Sequence, residues 1–294
     1  MREILVIGGS RYFGRRVVEL LRDGGDRVTL LNRGSADAPP GVRHVRADRD
    51  DEAELAAALG GRSFDVVLDQ VLYRPEQAGT ALRVFGGGRA GRYLMTSTCE
   101  VYDRVRGVPG SPLGEGAFDP AAWTGDGTDG TGYAEGKRRA EAVLARQSEL
   151  PYAAVRTAHV LGGGAADFTG RLAHYADRMR AGREIAVHAA PAPATFVEYG
   201  EIAGFLAWAA GQDFTGPVNA CSTGEADVRQ LCALLERQGL PAARFEEHDG
   251  EHGDEPSPFS FGHYYGMDNS RARQLGHPFS ELTDWLPGVL AEVR

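Results

Sequence analysis

The sequence has few cysteines and no long apolar run. Its three cysteines, Cys99, Cys221 and Cys232, have no regular spacing, which argues against a disulfide framework and a cysteine-based zinc site. We therefore expect a protein of the reducing cytoplasm. The amino-terminal apolar run covers only residues 4–7, too short for a signal peptide, and no stretch approaches the ~20 apolar residues of a membrane span.

The chain also lacks an excess of basic residues. Its net charge of −9 disfavours nucleic acid and anionic membranes as partners, so we expect a small-molecule substrate. The 294 residues are 42% apolar and 25% charged, and the mean hydropathy is −0.32. These values are typical of a globular enzyme with a substantial core.

A glycine-rich turn follows the first apolar run. Residues 4–7 read as a strand, residues 8–14 read Gly-Gly-Ser-Arg-Tyr-Phe-Gly, and apolar residues then recur at helical spacing. Such a turn binds a dinucleotide pyrophosphate at the helix N-terminus: Gly8 permits the tight turn, Gly9 the close approach of phosphate, and Gly14 the packing of helix on sheet. The residues of the turn assigned to the cofactor are Gly8, Gly9, Ser10, Arg11, Phe13 and Gly14.

Short apolar strands alternate with helical segments beyond this turn, which predicts an α/β fold with a doubly wound parallel sheet. The predicted strands lie near residues 3–7, 27–31, 43–46, 64–68, 91–96 and 152–156. The predicted helices lie near residues 13–23, 51–59, 75–86 and 133–148. Residues 104–132 and 248–266 lack periodicity; the first reads as a long loop, functional or simply inserted, and the second as a candidate substrate lid.

A tyrosine and a lysine stand four residues apart at the start of one predicted helix. Tyr133 and Lys137 therefore lie on one face. A phenol has a reference pKa of ~10, which a nearby ammonium and a cationic nicotinamide ring lower, so Tyr133 is a candidate general acid/base. An ordinary surface pair is the alternative. Upstream, the hydroxyls of residues 96–98 end a strand, where a substrate carbonyl can bind.

The glycine turn, the hydroxyl-bearing strand end and the Tyr-x-x-x-Lys pair, in this order, resemble the extended or atypical short-chain dehydrogenase/reductase superfamily, also called the NAD-dependent epimerase/dehydratase family. The likeness runs from end to end. It includes Phe-Val-Glu-Tyr-Gly-Glu-Ile-Ala at 196–203, Val-Asn at 218–219 and Met-Asp-Asn-Ser-Arg-Ala at 267–272.

The resemblance implies a role for each catalytic candidate. Thr98 would orient the substrate oxygen, Tyr133 would be the acid/base, and Lys137 would bind the nicotinamide ribose and acidify Tyr133. It also implies a Rossmann-like domain over residues 1–162, with 195–223 returning to it. The smaller substrate-binding part would comprise residues 163–194 and 224–294.

The resemblance assigns further residues to the cofactor. Asp48 looks like the family's adenine-contacting aspartate, with a helix cap as the alternative. Asp69 and Gln70 would line the dinucleotide cleft. His159 would lie near the nicotinamide, with a core histidine as the alternative.

Three residues depart from the family pattern and favour NADP over NAD. Arg11 replaces the middle glycine, and Asn32 and Arg33 replace an acidic ribose ligand. A carboxylate repels a 2′-phosphate, whereas an arginine offers charge-assisted hydrogen bonds of ~1.5–3 kcal/mol each. A solvated turn residue is the alternative for Arg33.

The triplet Thr98-Cys99-Glu100 bears on the reaction. Similar Thr-Asp-Glu and Thr-Ser-Glu triplets occur in sugar-nucleotide dehydratases and decarboxylases of the family, where Glu100 would be a base acting next to a ketone. A thiol of pKa ~8.5 is a poor substitute for the acid that expels hydroxide, so Cys99 argues against a full dehydratase. Capping of the local turn is the alternative for Glu100.

We therefore predict an NADP-dependent oxidoreductase that transfers a hydride between nicotinamide and a carbinol or ketone carbon of a polar substrate such as a sugar derivative. One alternative is an epimerase, dehydratase or decarboxylase that oxidises its sugar substrate transiently and retains the cofactor. A second alternative is a non-catalytic or RNA-associated atypical member of the family. The glycine turn and Asn32-Arg33-Gly34 also resemble the corresponding segments of such members.

The sequence predicts no metal site. His248 and His252 are close in sequence, but Gly250 disfavours the helix that would bring them together. From the resemblance we also expect a homodimer paired through the helices near 75–86 and 133–148.

Overall fold

The computed structural model describes residues 1–125, 132–248 and 256–293. The chain divides into two compact units. The first comprises Met1–Val101, Phe118–Thr157 and Gly200–Val218, and the second comprises Tyr102–Ala117, Ala158–Tyr199 and Asn219–Arg294.

The strands and helices have the following bounds. The strands are β1 (Glu3–Ile7), β2 (Arg27–Asn32), β3 (Arg43–Arg46), β4 (Phe64–Asp69), β5 (Ala90–Thr98), β6 (Tyr152–Thr157), β7 (His159–Leu161), β8 (Glu184–His188), β9 (Phe196–Glu198), β10 (Gly216–Ala220) and β11 (Arg244–His248). The helices are α1 (Tyr12–Asp23), α2 (Glu52–Leu59), α3 (Pro75–Phe85), α4 (Tyr133–Ala145), α5 (Arg171–Arg180), α6 (Tyr199–Ala209), α7 (Val228–Arg237), α8 (Ser270–Gln274) and α9 (Leu282–Ala291).

The first unit contains a seven-stranded sheet in the order β10-β6-β5-β4-β1-β2-β3. The pairings from β6 to β3 are parallel. The strand order reverses between β1 and β4, and a doubly wound sheet binds its ligand at the carboxyl ends of such strands. The predicted fold class is therefore confirmed, and the predicted bounds of these strands and helices agree to within three residues.

Local sequence explains why the helices begin where they do. Asp51 caps α2, its carboxylate accepting a hydrogen bond of 2.9 Å from the Glu54 N–H. Pro75 opens α3, where a missing N–H costs nothing. In α1, buried residues at helical spacing, Val17, Val18 and Leu21, pack the helix onto the sheet.

The second unit contains two parallel strand pairs, β7 with β9 and β8 with β11. Residues 102–117 belong to this unit, whereas the sequence assigns them to the first domain. The difference is explained by hydrogen bonds to Asn219, which belongs to the second unit. The Asn219 Nδ2 donates to the Leu113 carbonyl at 2.9 Å, and the Asn219 N–H donates to the Glu115 carboxylate at 2.8 Å. The segment predicted as one loop, 104–132, is thus shared between the units, and residues 126–131 lie outside the described chain.

Candidate active site

The glycine turn at the end of β1 encloses the side chain of Gln70, which follows β4. Gly8 and Gly9 have left-handed backbone angles, with φ of +84° and +72°. A Cβ on Gly9 would lie 2.9 Å from the Gln70 Nε2, and one on Gly14 would lie 2.4 Å from its Oε1. A Cβ on Gly14 would also lie 2.8 Å from the Gly9 Cα. Glycine is therefore required at position 9 by the left-handed backbone and at position 14 by the close approach of the Gly9 backbone, and either substitution would displace the Gln70 amide.

The groups around this turn fit a dinucleotide pyrophosphate. The Gln70 Nε2 is a buried donor with no acceptor among the described residues, and such a donor costs about 1–3 kcal/mol if it stays unpaired. The first turn of α1 contains no acidic residue, so its backbone N–H groups and the helix dipole favour an anion.

Arg11 is accommodated in the turn without backbone strain of its own. Its φ and ψ are −138° and 163°, an extended conformation, and its side chain is exposed. The left-handed conformation falls instead on Tyr12, whose φ is 50° and whose ring is buried. Replacement of the family's middle glycine by arginine is therefore compatible with the turn, and the strain of about 1 kcal/mol sits on Tyr12.

The Asn32 amide organises the turn that follows β2. Its Nδ2 donates to the Ser10 hydroxyl at 2.7 Å, and its Oδ1 accepts from the Gly34 N–H at 2.7 Å and pairs with the His44 Nε2 at 2.9 Å. The side chain is 9% exposed. Asn32 thus holds the backbone on either side of Arg33, while the Arg33 side chain is exposed.

Asp48 is half-buried and lies in the turn between β3 and α2. Its carboxylate accepts a hydrogen bond of 2.9 Å from the Asp50 N–H. The cap of α2 is Asp51, so Asp48 fastens the turn and is not the N-cap of the helix.

Asp69 does not line a cleft with its carboxylate, contrary to the prediction. The side chain is fully buried and accepts from the Arg49 Nη2 at 2.7 Å, the Tyr93 hydroxyl at 2.5 Å and the Val71 N–H at 2.9 Å. A buried charge needs such partners. The sequence reasoning missed Arg49, for which the adjacent Asp48 gives only a weak positional signal.

Thr98 and Tyr133 come together at the carboxyl edge of the sheet. Thr98 ends β5 and is buried, and Tyr133 is the first residue of α4. The phenol lies within reach of the Thr98 side chain, which lowers its pKa, while the residue as a whole remains 52% exposed. Two hydroxyls are thereby paired where a substrate oxygen can accept a hydrogen bond from both.

Lys137 lies one helical turn after Tyr133, as the spacing predicts, but it is buried. Its side chain is 1% exposed and its Nζ donates to the Thr96 carbonyl at 2.7 Å. The Nζ lies 5.7 Å from the centroid of the Tyr133 ring. Strand β5 therefore fixes both members of the predicted pair, through Thr98 and Thr96.

The protein environment acts on the two groups in opposite directions. Burial raises the pKa of Tyr133 above its ordinary value, although the hydrogen bond with Thr98 lowers it. Burial lowers the pKa of Lys137 to about 7, against the attraction of Asp69 and Glu141. The lowering of the Tyr133 pKa that the sequence predicts from Lys137 is not found; the burial effect exceeds the favourable interactions.

Glu100 directly follows the buried Cys99 and is half-buried. Its N–H donates to the Thr98 hydroxyl at 3.2 Å, and its charge raises the pKa of Tyr133. The Thr98 side chain thus caps the turn that contains Glu100, and the Glu100 carboxylate acts electrostatically on the phenol. The role of that carboxylate as a base or as a cap stays a prediction.

A fully buried ion pair supports this part of the site. Glu141, on α4, lies 2.7 Å from the Arg156 Nη2 on β6, and both side chains are 0% exposed. Ser97 on β5 donates to the same carboxylate. The pair joins α4 to the strand ends that carry Thr96 and Thr98. Sequence reasoning missed it, because the two residues belong to separate elements.

His159 lies in the second unit, in an aromatic cluster. Its ring stacks on Phe261 with centroids 4.6 Å apart, and Phe196, Phe259 and Tyr265 lie within 6.3 Å. His159 thus packs among aromatic side chains, and its predicted place near the nicotinamide stays a prediction. Phe259 and Phe261 of the candidate lid are thus core residues.

The sequence predicts that His248 and His252 form no metal site. Of residues 248–252, all but His248 lie outside the described chain.

The fold and this edge of the sheet define a class, the doubly wound dinucleotide-binding α/β proteins. Within it, the chain belongs to the NAD(P)H-binding family, whose profile matches residues 8–186. No curated protein matches the chain.

Several solved structures have a similar fold. The UDP-glucose 4-epimerase of Thermus thermophilus, solved with NAD, is 19% identical with a TM-score of 0.74, over 99% of this chain and 98% of that one. Bordetella bronchiseptica WbmG, solved with NAD and UDP, is 18% identical with a TM-score of 0.76, over 99% and 93%. The dTDP-glucose 4,6-dehydratase of Bacillus anthracis, solved with NAD, is 12% identical with a TM-score of 0.74, over 98% and 95%. The predicted resemblance to the epimerase/dehydratase fold is confirmed.

The helices of the described residues include none with the length and apolarity needed to cross a bilayer.

Proposed function

We propose that the protein is an NADP-dependent oxidoreductase that transfers a hydride between nicotinamide and a carbinol or ketone carbon of a polar, sugar-derived substrate. The observation that carries the proposal is the placement of Tyr133 beside Thr98, with Lys137 one helical turn further on and bound to the Thr96 carbonyl of the same strand. Membership of the NAD(P)H-binding family supports the cofactor class.

The protein's own groups would handle the substrate oxygen and its proton. Thr98 and Tyr133 hydrogen-bond that oxygen, and the Tyr133 phenol gives up its proton when a ketone is reduced or accepts one when an alcohol is oxidised. Because burial raises the pKa of Tyr133, the phenol is protonated at neutral pH and ready for reduction. Lys137 orients the nicotinamide ribose, and the bound cofactor supplies the hydride donor or acceptor.

The preference for NADP rests on the end of β2. Asn32 is neutral and occupied by internal hydrogen bonds, so it does not repel a 2′-phosphate, and the exposed Arg33 is available to bind it. The backbone N–H groups of the glycine turn and the Gln70 Nε2 would hold the pyrophosphate.

A second candidate is an epimerase or dehydratase that retains its cofactor. The observation in its favour is the carboxylate of Glu100, whose charge raises the pKa of the Tyr133 phenol, which supports its assignment as a base acting next to a ketone. Folds similar to this one occur in UDP-glucose 4-epimerase and dTDP-glucose 4,6-dehydratase.

Turnover with polar ketones, sugars and sugar nucleotides tests the proposal, with wild type compared with Tyr133→Phe. We expect the wild type to consume NADPH stoichiometrically and the variant to lose about 10²- to 10⁴-fold in kcat while still binding NADPH. Full turnover by the variant would contradict the role of Tyr133. Product formation with a tightly held dinucleotide and no change in nicotinamide absorbance would favour the second candidate.

A further inference from the structure

The ring of Tyr73 covers the Lys137 ammonium. Tyr73 lies between β4 and α3, and its ring centroid is 4.6 Å from the Lys137 Nζ, a cation–π distance. The same Nζ donates to the Thr96 carbonyl at 2.7 Å. The lysine head group thus contacts both a strand carbonyl and an aromatic face, and its side chain is 1% exposed.

The same ring packs beside the proposed acid/base. The centroids of Tyr73 and Tyr133 are 6.0 Å apart, with the rings inclined at 50°, within the range of attractive aromatic pairs. Tyr73 is itself 41% exposed. It therefore contacts both Tyr133 and Lys137 and also faces solvent at the edge of the site.

The backbone of Tyr73 is held rigidly in this position. Its N–H donates to the Gln77 Oε1 at 2.6 Å, and the Gln77 Nε2 donates to Asp50 at 2.6 Å. On the other side, a Cβ at Gly136 would lie 2.3 Å from the Tyr73 carbonyl oxygen. Helix α4 therefore meets Tyr73 directly at the residue before Lys137, and the ring position is coupled to the helix that carries the catalytic pair.

We propose that Tyr73 is a positioning residue of this site, whose ring holds Lys137 and Tyr133 in their working arrangement and shields the Lys137 ammonium from water. The inference rests on the proposed function for its effect on turnover, but its effect on Lys137 is independent of the reaction.

The charges that face Lys137 set the expected pH behaviour. Asp69 on β4 and Glu141 on α4 favour the ammonium, Arg49 before α2 opposes it, and burial dominates, lowering its pKa to about 7. The charged lysine is the form that makes the stronger hydrogen bonds to the nicotinamide ribose in the proposed function, so activity should fall as pH rises through this value. Removal of the covering ring admits water to the ammonium, which relieves the burial effect and moves that fall to higher pH.

Three variants test the proposal. Tyr73→Phe keeps the ring, and Tyr73→Leu removes it. Tyr152→Leu is the control for stability, because it removes a tyrosine ring from the first residue of β6, at the amino end of the strand and away from the carboxyl end where Thr98 lies. Trace acylation of Lys137, the only lysine in the sequence, read by mass spectrometry, measures access to its ammonium group without turnover. Of the three variants, we expect only Tyr73→Leu to show faster labelling of Lys137. Its kcat/KM should fall by about 10- to 100-fold, and the pH at which activity falls on the alkaline side should rise by about one unit.

Unchanged Lys137 labelling and an unchanged alkaline limb in a folded Tyr73→Leu protein would overturn the inference. If labelling of Lys137 rises in Tyr73→Leu while Tyr133→Phe retains full turnover, the results support the shielding of Lys137 by Tyr73 and contradict the proposed function. The two failures are therefore distinguishable.

Discussion

Arg33 is an exposed side chain on a well-fixed backbone. The amide of Asn32 bonds to Gly34, Ser10 and His44, so the turn that presents Arg33 is held from within. At this position a carboxylate would select a free 2′-hydroxyl, and an arginine selects a phosphate. The choice between the two dinucleotides is thus expected to depend on one side chain.

We expect Arg33→Ala to lower kcat/KM for NADPH by about 10- to 150-fold, since a charge-assisted hydrogen bond contributes about 1.5–3 kcal/mol. The value for NADH should change little. Arg27→Ala, at the other end of β2, is the matched control and should leave both values unchanged. Equal efficiency of the wild type with NADH and NADPH would contradict the NADP proposal.

Helix α4 contains a glycine, Gly136, at the point where it packs against Tyr73, although glycine has a low helix propensity. Gly136 lies within the helix, where alanine is more stable by about 1 kcal/mol, yet a Cβ there would meet the Tyr73 carbonyl at 2.3 Å. The contact between α4 and the segment before α3 therefore outweighs helix propensity. It also sets the distance between Lys137 and the Tyr73 ring.

Gly136→Ala is predicted to lower the melting temperature and turnover together, because α4 must move away from Tyr73. The control is Gly204→Ala in α6. Apart from the adjacent residues and the backbone of α6 itself, no described atom lies within 4 Å of the Cβ that this change adds. That change should raise stability by about 0.5–1 kcal/mol. Calorimetry and a turnover assay on both variants measure the contrast, and a stabilised, active Gly136→Ala would be inconsistent with the proposed contact.

At the scale of the whole molecule, the first unit holds its sheet and α4 together through a buried ion pair. Glu141 and Arg156 are both 0% exposed and 2.7 Å apart. Arg156 also donates to the Phe118 carbonyl at 3.0 Å, so the segment after residue 117 is tied to the same pair. Loss of one partner leaves an uncompensated charge in the interior.

Glu141→Gln is expected to lower the free energy of unfolding by about 3–5 kcal/mol, because Arg156 keeps its charge and loses its partner. Glu19→Gln breaks the partly exposed Arg15 pair, 3.2 Å long, and should cost less than about 1 kcal/mol. Urea unfolding followed by fluorescence compares them. Equal losses in the two variants would show that the buried pair is not a main support of the unit.

The sequence predicted the regular elements of the first unit well, because apolar periodicity and turn residues are local signals. The strand at 3–7, the glycine turn after it and the helix that begins with Tyr133 are each encoded in a few consecutive residues. The elements of the second unit were harder to predict from the sequence. Its strands are short, and residues 102–117 join it through Asn219, far along the chain.

The sequence by itself determined the doubly wound class, the glycine turn and the spacing of Tyr133 and Lys137, since these depend on residues that are near neighbours in the chain. Only the tertiary structure decided that Asp69 is buried against Arg49, that Gln70 fills the glycine turn and that Tyr73 covers Lys137. Such contacts join residues on different elements, and their pairing is fixed by strand order and side-chain packing, which no local pattern encodes.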